Sequence, residues 1–199
     1  MISRRAAMAA ALLAALPVGL AGCSSDPNSI SAQANRGDDK NYVSGDGTVT
    51  TVAPGDRGKP VSFSGTLLDG QKWSSSQADG KVLVVNVWGA WCAPCQKELP
   101  ELQKVWAGWQ KAGDPVQMIG INQRDSVTNA QATLTSKGVT YPSLADDGGA
   151  ALLSLQDAVT AYPTTLVLDT RHRIAARVNG ATTYLTLTGL VSDVLKEKS

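Results

Sequence analysis

The chain has 199 residues, with 18 Lys plus Arg against 17 Asp plus Glu and a formal net charge of +1. So even a balance leaves no electrostatic footprint for nucleic acid or for an acidic substrate. A four-ligand zinc site would have to gather all three cysteines, Cys23, Cys92 and Cys95, with the lone His172, so zinc is set aside and no metal is expected.

Arg4 and Arg5 form a charged start, and Ala6 to Leu20 is apolar but short and Ala-rich for a membrane span. Leu20-Ala21-Gly22-Cys23 follows and resembles the lipobox of bacterial lipoproteins. The resemblance implies a signal peptide over residues 1–22 and a lipid-bearing Cys23 at the mature amino terminus. Such an anchor carries at least two acyl chains, enough for stable attachment. The alternative is an ordinary secretory peptide cut nearby, leaving Cys23 as a stray thiol. Ser3-Arg4-Arg5 hints at twin-arginine export but lacks the bulky apolar residue expected after the pair.

Residues 23–58 are rich in Ser, Asp, Asn and Gly, have no sustained period, and read as a flexible, lipid-anchored tether with a span of roughly 30 Å. Thr48 to Val52 alternates and suits a strand as well. From Lys59 a globular pattern begins, one domain over residues 59–199. Val61, Phe63 and Leu67, then Asp69-Gly70 and Trp73, suggest a β-hairpin. Val82 to Trp88 is continuous in apolar residues, as buried parallel strands are.

Leu99, Leu102, Val105, Trp106 and Trp109 recur at three- and four-residue spacing, so Pro94 to about Lys111 reads as an amphipathic helix with both tryptophans in the core. Gly113 ends it, and Pro100 predicts a kink. Strand Val116 to Ile121, helix Ser126 to Lys137 closed by Gly138, and a short helix Ala150 to Gln156 come next. Strand Thr165 to Leu168, its hairpin partner Ile174 to Val178, and helix Leu185 to Lys196 complete the chain. His172, between Arg171 and Arg173, reads as an exposed turn residue. Strands alternating with helices, closed by an antiparallel hairpin, give an α/β sandwich around a mixed sheet.

Trp91-Cys92-Ala93-Pro94-Cys95 directly follows the first buried strand. If Pro94 opens a helix, the two cysteines share one face with Cα atoms about 5 Å apart, within disulfide range. Proline suits a first helical turn, and the unpaired N–H groups and dipole there favour a Cys92 thiolate, making Cys92 the nucleophile and Cys95 the resolving thiol. A c-type haem site would need His at position 96, which is Gln. A structural staple across so short a loop would stabilise little.

The element order, Trp88-Gly89-Ala90-Trp91-Cys92-Ala93-Pro94-Cys95, Pro100, and Tyr162-Pro163-Thr164-Thr165 before a strand together resemble the thioredoxin superfamily. The added hairpin, Asn86 where thioredoxins proper carry an acid, Glu98-Leu99-Pro100 and the lipid anchor resemble its membrane-tethered TlpA/ResA-like branch. The resemblance implies a thioredoxin-like three-layer sandwich with an added N-terminal β-hairpin and a cis-proline at Pro163 facing the thiols. Trp91 would shield the site and meet substrate. Glu98 matches an acid that tunes the thiols and passes protons; a solvated helix-face carboxylate is the competing reading. Two departures stand out: His172 and its neighbours replace a Gly-containing turn, and no Gly precedes Tyr162-Pro163.

The function so implied is an extracytoplasmic thiol-disulfide oxidoreductase held at the bacterial cell membrane through Cys23. It would use no cofactor beyond the Cys92/Cys95 pair, reduce protein disulfides as in cytochrome c maturation, and be recharged by a membrane electron donor. A disulfide-forming oxidase is the nearer alternative, and a lipoprotein binding module with an inert cysteine pair the more distant one. A peroxidase is disfavoured because no isolated peroxidatic cysteine stands outside the pair.

Overall fold

Seven consecutive residues with no exposed face, Val82–Trp88, form the central strand of the sheet in a computed structural model that describes residues 47–197. In chain order the elements are β1 (Thr48–Thr51), β2 (Ser64–Thr66), β3 (Lys72–Ser74), a 3-10 turn (Ser75–Ala78) and β4 (Val82–Trp88). Then come α1 (Ala93–Ala112), β5 (Val116–Asn122), α2 (Val127–Ser136), β6 (Ser143–Ala145), α3 (Ala150–Leu153), β7 (Thr164–Leu168), β8 (Ile174–Asn179) and α4 (Tyr184–Lys196). The six-stranded sheet runs β1-β8-β7-β4-β5-β6, and β2 and β3 pair separately as the added hairpin. β4, β5 and β6 are parallel, whereas β7 joins β4 antiparallel and β8 and β1 continue in that sense.

Alternation along β4 divides the core into two layers. Val82, Val84 and Trp88 pack with Leu99, Leu102, Val105 and Trp109 of α1 and with Leu187, Leu190 and Val191 of α4. Leu83, Val85 and Val87 pack on the opposite side with Phe63 and Trp73 of the hairpin segment and with Ala151 and Leu155. Trp109 is buried and Trp106 packs against the same cluster, as their spacing predicts. α1 continues through Pro100 and ends at Gly113 in the left-handed region, φ 71°.

Three expectations change. The tether does not reach residue 58: β1 pairs with β8 from Thr48↔Asn179 to Thr51↔Ala176, the strand reading that its alternation allowed. Arg57 reinforces this, donating to Asp169 at 3.0 Å and to both carboxylate oxygens of Glu197. The signal peptide, Cys23 and the rest of the tether lie outside the described residues. Second, His172 is buried, with 7% exposure. In the β7–β8 turn Asp169 Oδ1 accepts the N–H groups of Arg171 and Arg173, both at 2.9 Å. His172 takes the left-handed position there, φ 58°, and its Nε2 donates to the Ala78 carbonyl at 3.2 Å. The ring thus fills the gap between that turn and the hairpin layer. Third, the helix from Ala150 stops at Leu153: Ser154 and Leu155 donate to the carbonyls of Ala151 and Leu152, three residues back, and Gln156 and Asp157 beyond them adopt positive φ.

Burial alone would raise the Asp169 carboxyl. Hydrogen bonds from the Arg173 backbone, the Arg57 and Arg173 guanidiniums and the Arg171 backbone outweigh it and hold it below its ordinary value. Its contribution is therefore present above the usual carboxylate range and is lost as pH falls through the lowered value. Arg57→Ala is expected to lower unfolding stability by about 3 kcal/mol at neutral pH. The deficit should narrow below about pH 4, read from urea midpoints of both proteins.

Candidate active site

The cysteine pair sits where β4 ends. Gly89 leaves room for the Trp91 indole, whose Nε1 a Cβ at position 89 would meet. Cys92 caps α1 with extended backbone, φ −91° and ψ 101°, and its Sγ accepts the Cys95 N–H at 3.3 Å. Pro94 occupies the first turn, and Cys92 and Cys95 are joined as a disulfide with Cα atoms 5.2 Å apart. Cys95 is fully buried and Cys92 nearly so, at 4% exposure, while Trp91, Ala93 and Pro94 around it are exposed. Among the described residues, the sulfurs are therefore open only from the Cys92 side.

A second segment meets this loop. The Tyr162-Pro163 bond is cis, and the next residue, Thr164, pairs with Val87 of β4. Pro163 is buried beside the end of β4, and its carbonyl accepts the Gly180 N–H at 2.8 Å. Trp91 stands 52% exposed, set edge-on against Tyr162 with centroids 5.2 Å apart. Its Nε1 donates to the Gln123 carbonyl at 2.9 Å, so the indole is held outward as a wall.

Glu98, one turn beyond Cys95, is 2% exposed, which excludes the solvated helix-face reading. Asn86 Nδ2 donates to its Oε1 at 2.8 Å and the Thr182 N–H to its Oε2 at 2.9 Å. Burial raises the Glu98 pKa to about 7, against the opposing pull of the Thr182 and Asn86 hydrogen bonds. Asn86 Nδ2 also reaches Thr165 Oγ1 at 3.2 Å, and Tyr141 OH donates to Asn86 Oδ1 at 3.4 Å. Burial, and secondarily the Glu98 charge, push the Tyr141 phenol far up, so it stays neutral.

The structure places Cys92, Cys95, Trp91 and Pro94 at the start of α1, Glu98 one turn further along it and Pro163 beside the end of β4. Sequence reasoning misses the work of Tyr141, Thr165 and Thr182. Asn86 carried a signal, the single amide in an otherwise apolar buried strand.

A raised carboxyl binds its proton more tightly in the folded chain than in the unfolded one. Stability from this source is full below the ordinary value of 4.5 and is lost as pH rises through about 7. Glu98→Gln, which keeps an acceptor for Thr182, is therefore expected to match the oxidised wild type near pH 4 and exceed it by up to ~3 kcal/mol near pH 8. Urea denaturation at the two pH values measures the difference, and equal gaps at both would remove burial as the cause.

The AhpC/TSA family model matches residues 57–177. The thiol:disulfide interchange protein HelX of Rhodobacter capsulatus is 32% identical over 143 residues, covering 72% of this chain and 74% of that protein. The thiol-disulfide oxidoreductase ResA of Halalkalibacterium halodurans is 26% identical over 62% of this chain and 68% of its own length. A secreted thiol-disulfide isomerase from Corynebacterium glutamicum superposes with a TM-score of 0.66 at 32% identity, covering 75% of this chain and 92% of that one. With a cysteine pair at the β4–α1 junction and a cis-proline beside it, the chain belongs to the AhpC/TSA family of thioredoxin-like proteins and is a TlpA/ResA-like thiol-disulfide oxidoreductase.

Proposed function

We propose that the protein is an extracytoplasmic reductase of protein disulfides, tethered to the cell membrane through lipid on Cys23 and serving cytochrome c maturation or a similar thiol-keeping task. The Cys92 thiolate attacks one sulfur of a substrate disulfide. That S–S bond breaks, a Cys92–substrate bond forms, and the other substrate sulfur leaves with the electron pair and takes a proton from solvent. Glu98 accepts the Cys95 thiol proton, and Cys95 Sγ attacks Cys92 Sγ. The second substrate sulfur then leaves with the proton from Glu98. The enzyme ends as the disulfide, the substrate as two thiols, and a membrane electron donor of the thiol-disulfide relay type restores the dithiol.

Trp91, Pro94 and Pro163 shape the entrance: the indole wall and the exposed first turn flank Cys92, and the cis-proline segment offers backbone to an extended substrate. Substrate chains enter from the Cys92 side because Cys95 has no exposed surface.

The observation that carries the reductive direction is Glu98, an acid buried one helical turn from Cys95 and engaged by Asn86 and Thr182 rather than by a cation. Ionised, it disfavours thiolate at the pair, which leaves the reduced form less stabilised and the dithiol a stronger donor. The expected potential is near thioredoxin, about −270 mV, read by equilibration in glutathione or dithiothreitol buffers. A value above about −160 mV replaces this reading with the disulfide-forming oxidase.

Three cysteine variants separate the parts. Cys92→Ser is expected to abolish insulin reduction, Cys95→Ser to accumulate mixed disulfides, and Cys23→Ser to leave the membrane fraction with full redox activity. A fast-reacting thiol remaining in Cys92→Ser would reverse the two roles, and continued membrane association of exported Cys23→Ser would remove the lipid anchor.

A further inference from the structure

The hydrogen bonds around Glu98 suit a carboxylate and leave a protonated acid nowhere to donate. Oε1 faces the Asn86 Nδ2 group and Oε2 faces the Thr182 N–H, both of them donors. The buried Thr182 hydroxyl has no hydrogen-bond partner among the described residues, so it accepts from neither oxygen of Glu98 in this arrangement. A buried O–H without an acceptor is costly. Yet proton transfer at this acid needs both of its states.

We propose that Asn86 is a rotating amide, turning half a revolution as Glu98 gains and loses its proton, with the Tyr141 and Thr165 hydroxyls exchanging donor and acceptor roles to follow it. In the ionised state Nδ2 spends one N–H on Glu98 and the other on Thr165 Oγ1, while Oδ1 accepts from Tyr141. After rotation Oδ1 accepts from the Glu98 O–H and from the Thr165 hydroxyl, and Nδ2 donates to the Tyr141 oxygen. Oε2, now the carbonyl oxygen, keeps the Thr182 N–H. Amide oxygen and nitrogen are nearly the same size and both hydroxyls work in either direction, so the exchange keeps the shape of the site and costs the partner of one amide N–H. Asn86 is thus a positioning residue: it never touches substrate, but it lets the acid hold or release a proton inside a closed core.

The titratable groups facing Glu98 are few. α1 contributes the reduced thiols of Cys92 and Cys95, and the segment before β6 contributes the Tyr141 phenol. β4, β7 and the loop before α4 contribute only Asn86, Thr165 and Thr182, and no described ion pair includes Glu98. A fixed donor set would hold the acid ionised and a fixed acceptor would hold it protonated. The rotating amide keeps both states open, consistent with a pKa of about 7 in so buried a position.

This inference rests on the reading of Glu98 as the acid of the site. The test is nuclear magnetic resonance of the oxidised full chain, following the Asn86 side-chain NH2 from about pH 5 to about pH 9 while the Glu98 carboxyl carbon reports its titration. The NH2 protons are expected to approach the Thr165 side chain at high pH and the Tyr141 ring at low pH, with the Glu98 midpoint. In Glu98→Gln, whose new N–H group imitates the acid proton, they should stay on the Tyr141 side at every pH. Tyr141→Phe removes the acceptor for the rotated amide and strands the N–H that would meet it, a heavier penalty than an unpaired carbonyl, so the Glu98 midpoint should fall by about half a unit or more. NH2 protons that remain beside Thr165 throughout, in wild type or in Glu98→Gln, overturn the rotation, as does a midpoint unmoved or raised in Tyr141→Phe. Cys92 alkylation rates in reduced Glu98→Gln separate the two readings: thiols indifferent to that change would remove Glu98 from the exchange while leaving the amide result standing.

Discussion

A strand buried on both faces offers no water to a polar side chain, so whatever polarity β4 carries must be answered from other elements. Asn86 is that polarity, fully buried among Val82, Leu83, Val84, Val85, Val87 and Trp88. Its answers come from Glu98 on the helix above, Thr165 on the neighbouring strand and Tyr141 before β6. An unsatisfied amide here would be expensive, and so would an unanswered carboxylate. Each therefore requires the other, and the pairing fixes how α1 lies over the sheet just beyond the cysteine pair. The depth that protects the sulfurs also raises the acid into the range where it can move protons.

The Cys92/Cys95 chemistry was legible because it is local: a three-residue separation, a first-turn proline and a preceding apolar strand are all read within a dozen positions. The periodicity of Leu99, Leu102, Val105 and Trp109 was legible for the same reason. The partners of Glu98 were not. Thr165 lies 79 residues from Asn86, Tyr141 lies 55 from it, and Thr182 lies 84 from Glu98. No window along the chain joins them, and each alone reads as an ordinary strand, core or loop residue. Only the register Asn86↔Thr165 and the crossing of α1 bring them together.

Other misreadings have equally physical origins. His172 stands in a polar run, Arg171-His172-Arg173, which argues for exposure. The turn, however, is organised by Asp169, and that geometry swings the imidazole inward while Arg171 stays exposed and the Arg173 guanidinium pairs with Asp169. β1 is a mostly exposed edge strand, so its alternation of Thr and Val carries little apolar weight and suits a tether as well as a strand. Its place depends on β8 and on Arg57, which meets acids 112 and 140 residues further on. β6, only three residues long, follows from parallel pairing with β5 rather than from its own composition.

The edge position of β1 has a mechanical side. Tension arriving along the amino-terminal chain enters the domain at Gly47 and meets first a four-residue ladder on β8, then the Arg57 clamp. The redox loop is attached to β4, three strands inward, where every residue is buried. A short, exposed strand opens locally at far lower free energy than such a core. Under load the outer strand yields while the sulfur geometry stays intact, so strain taken up at that edge does not register in the electron chemistry.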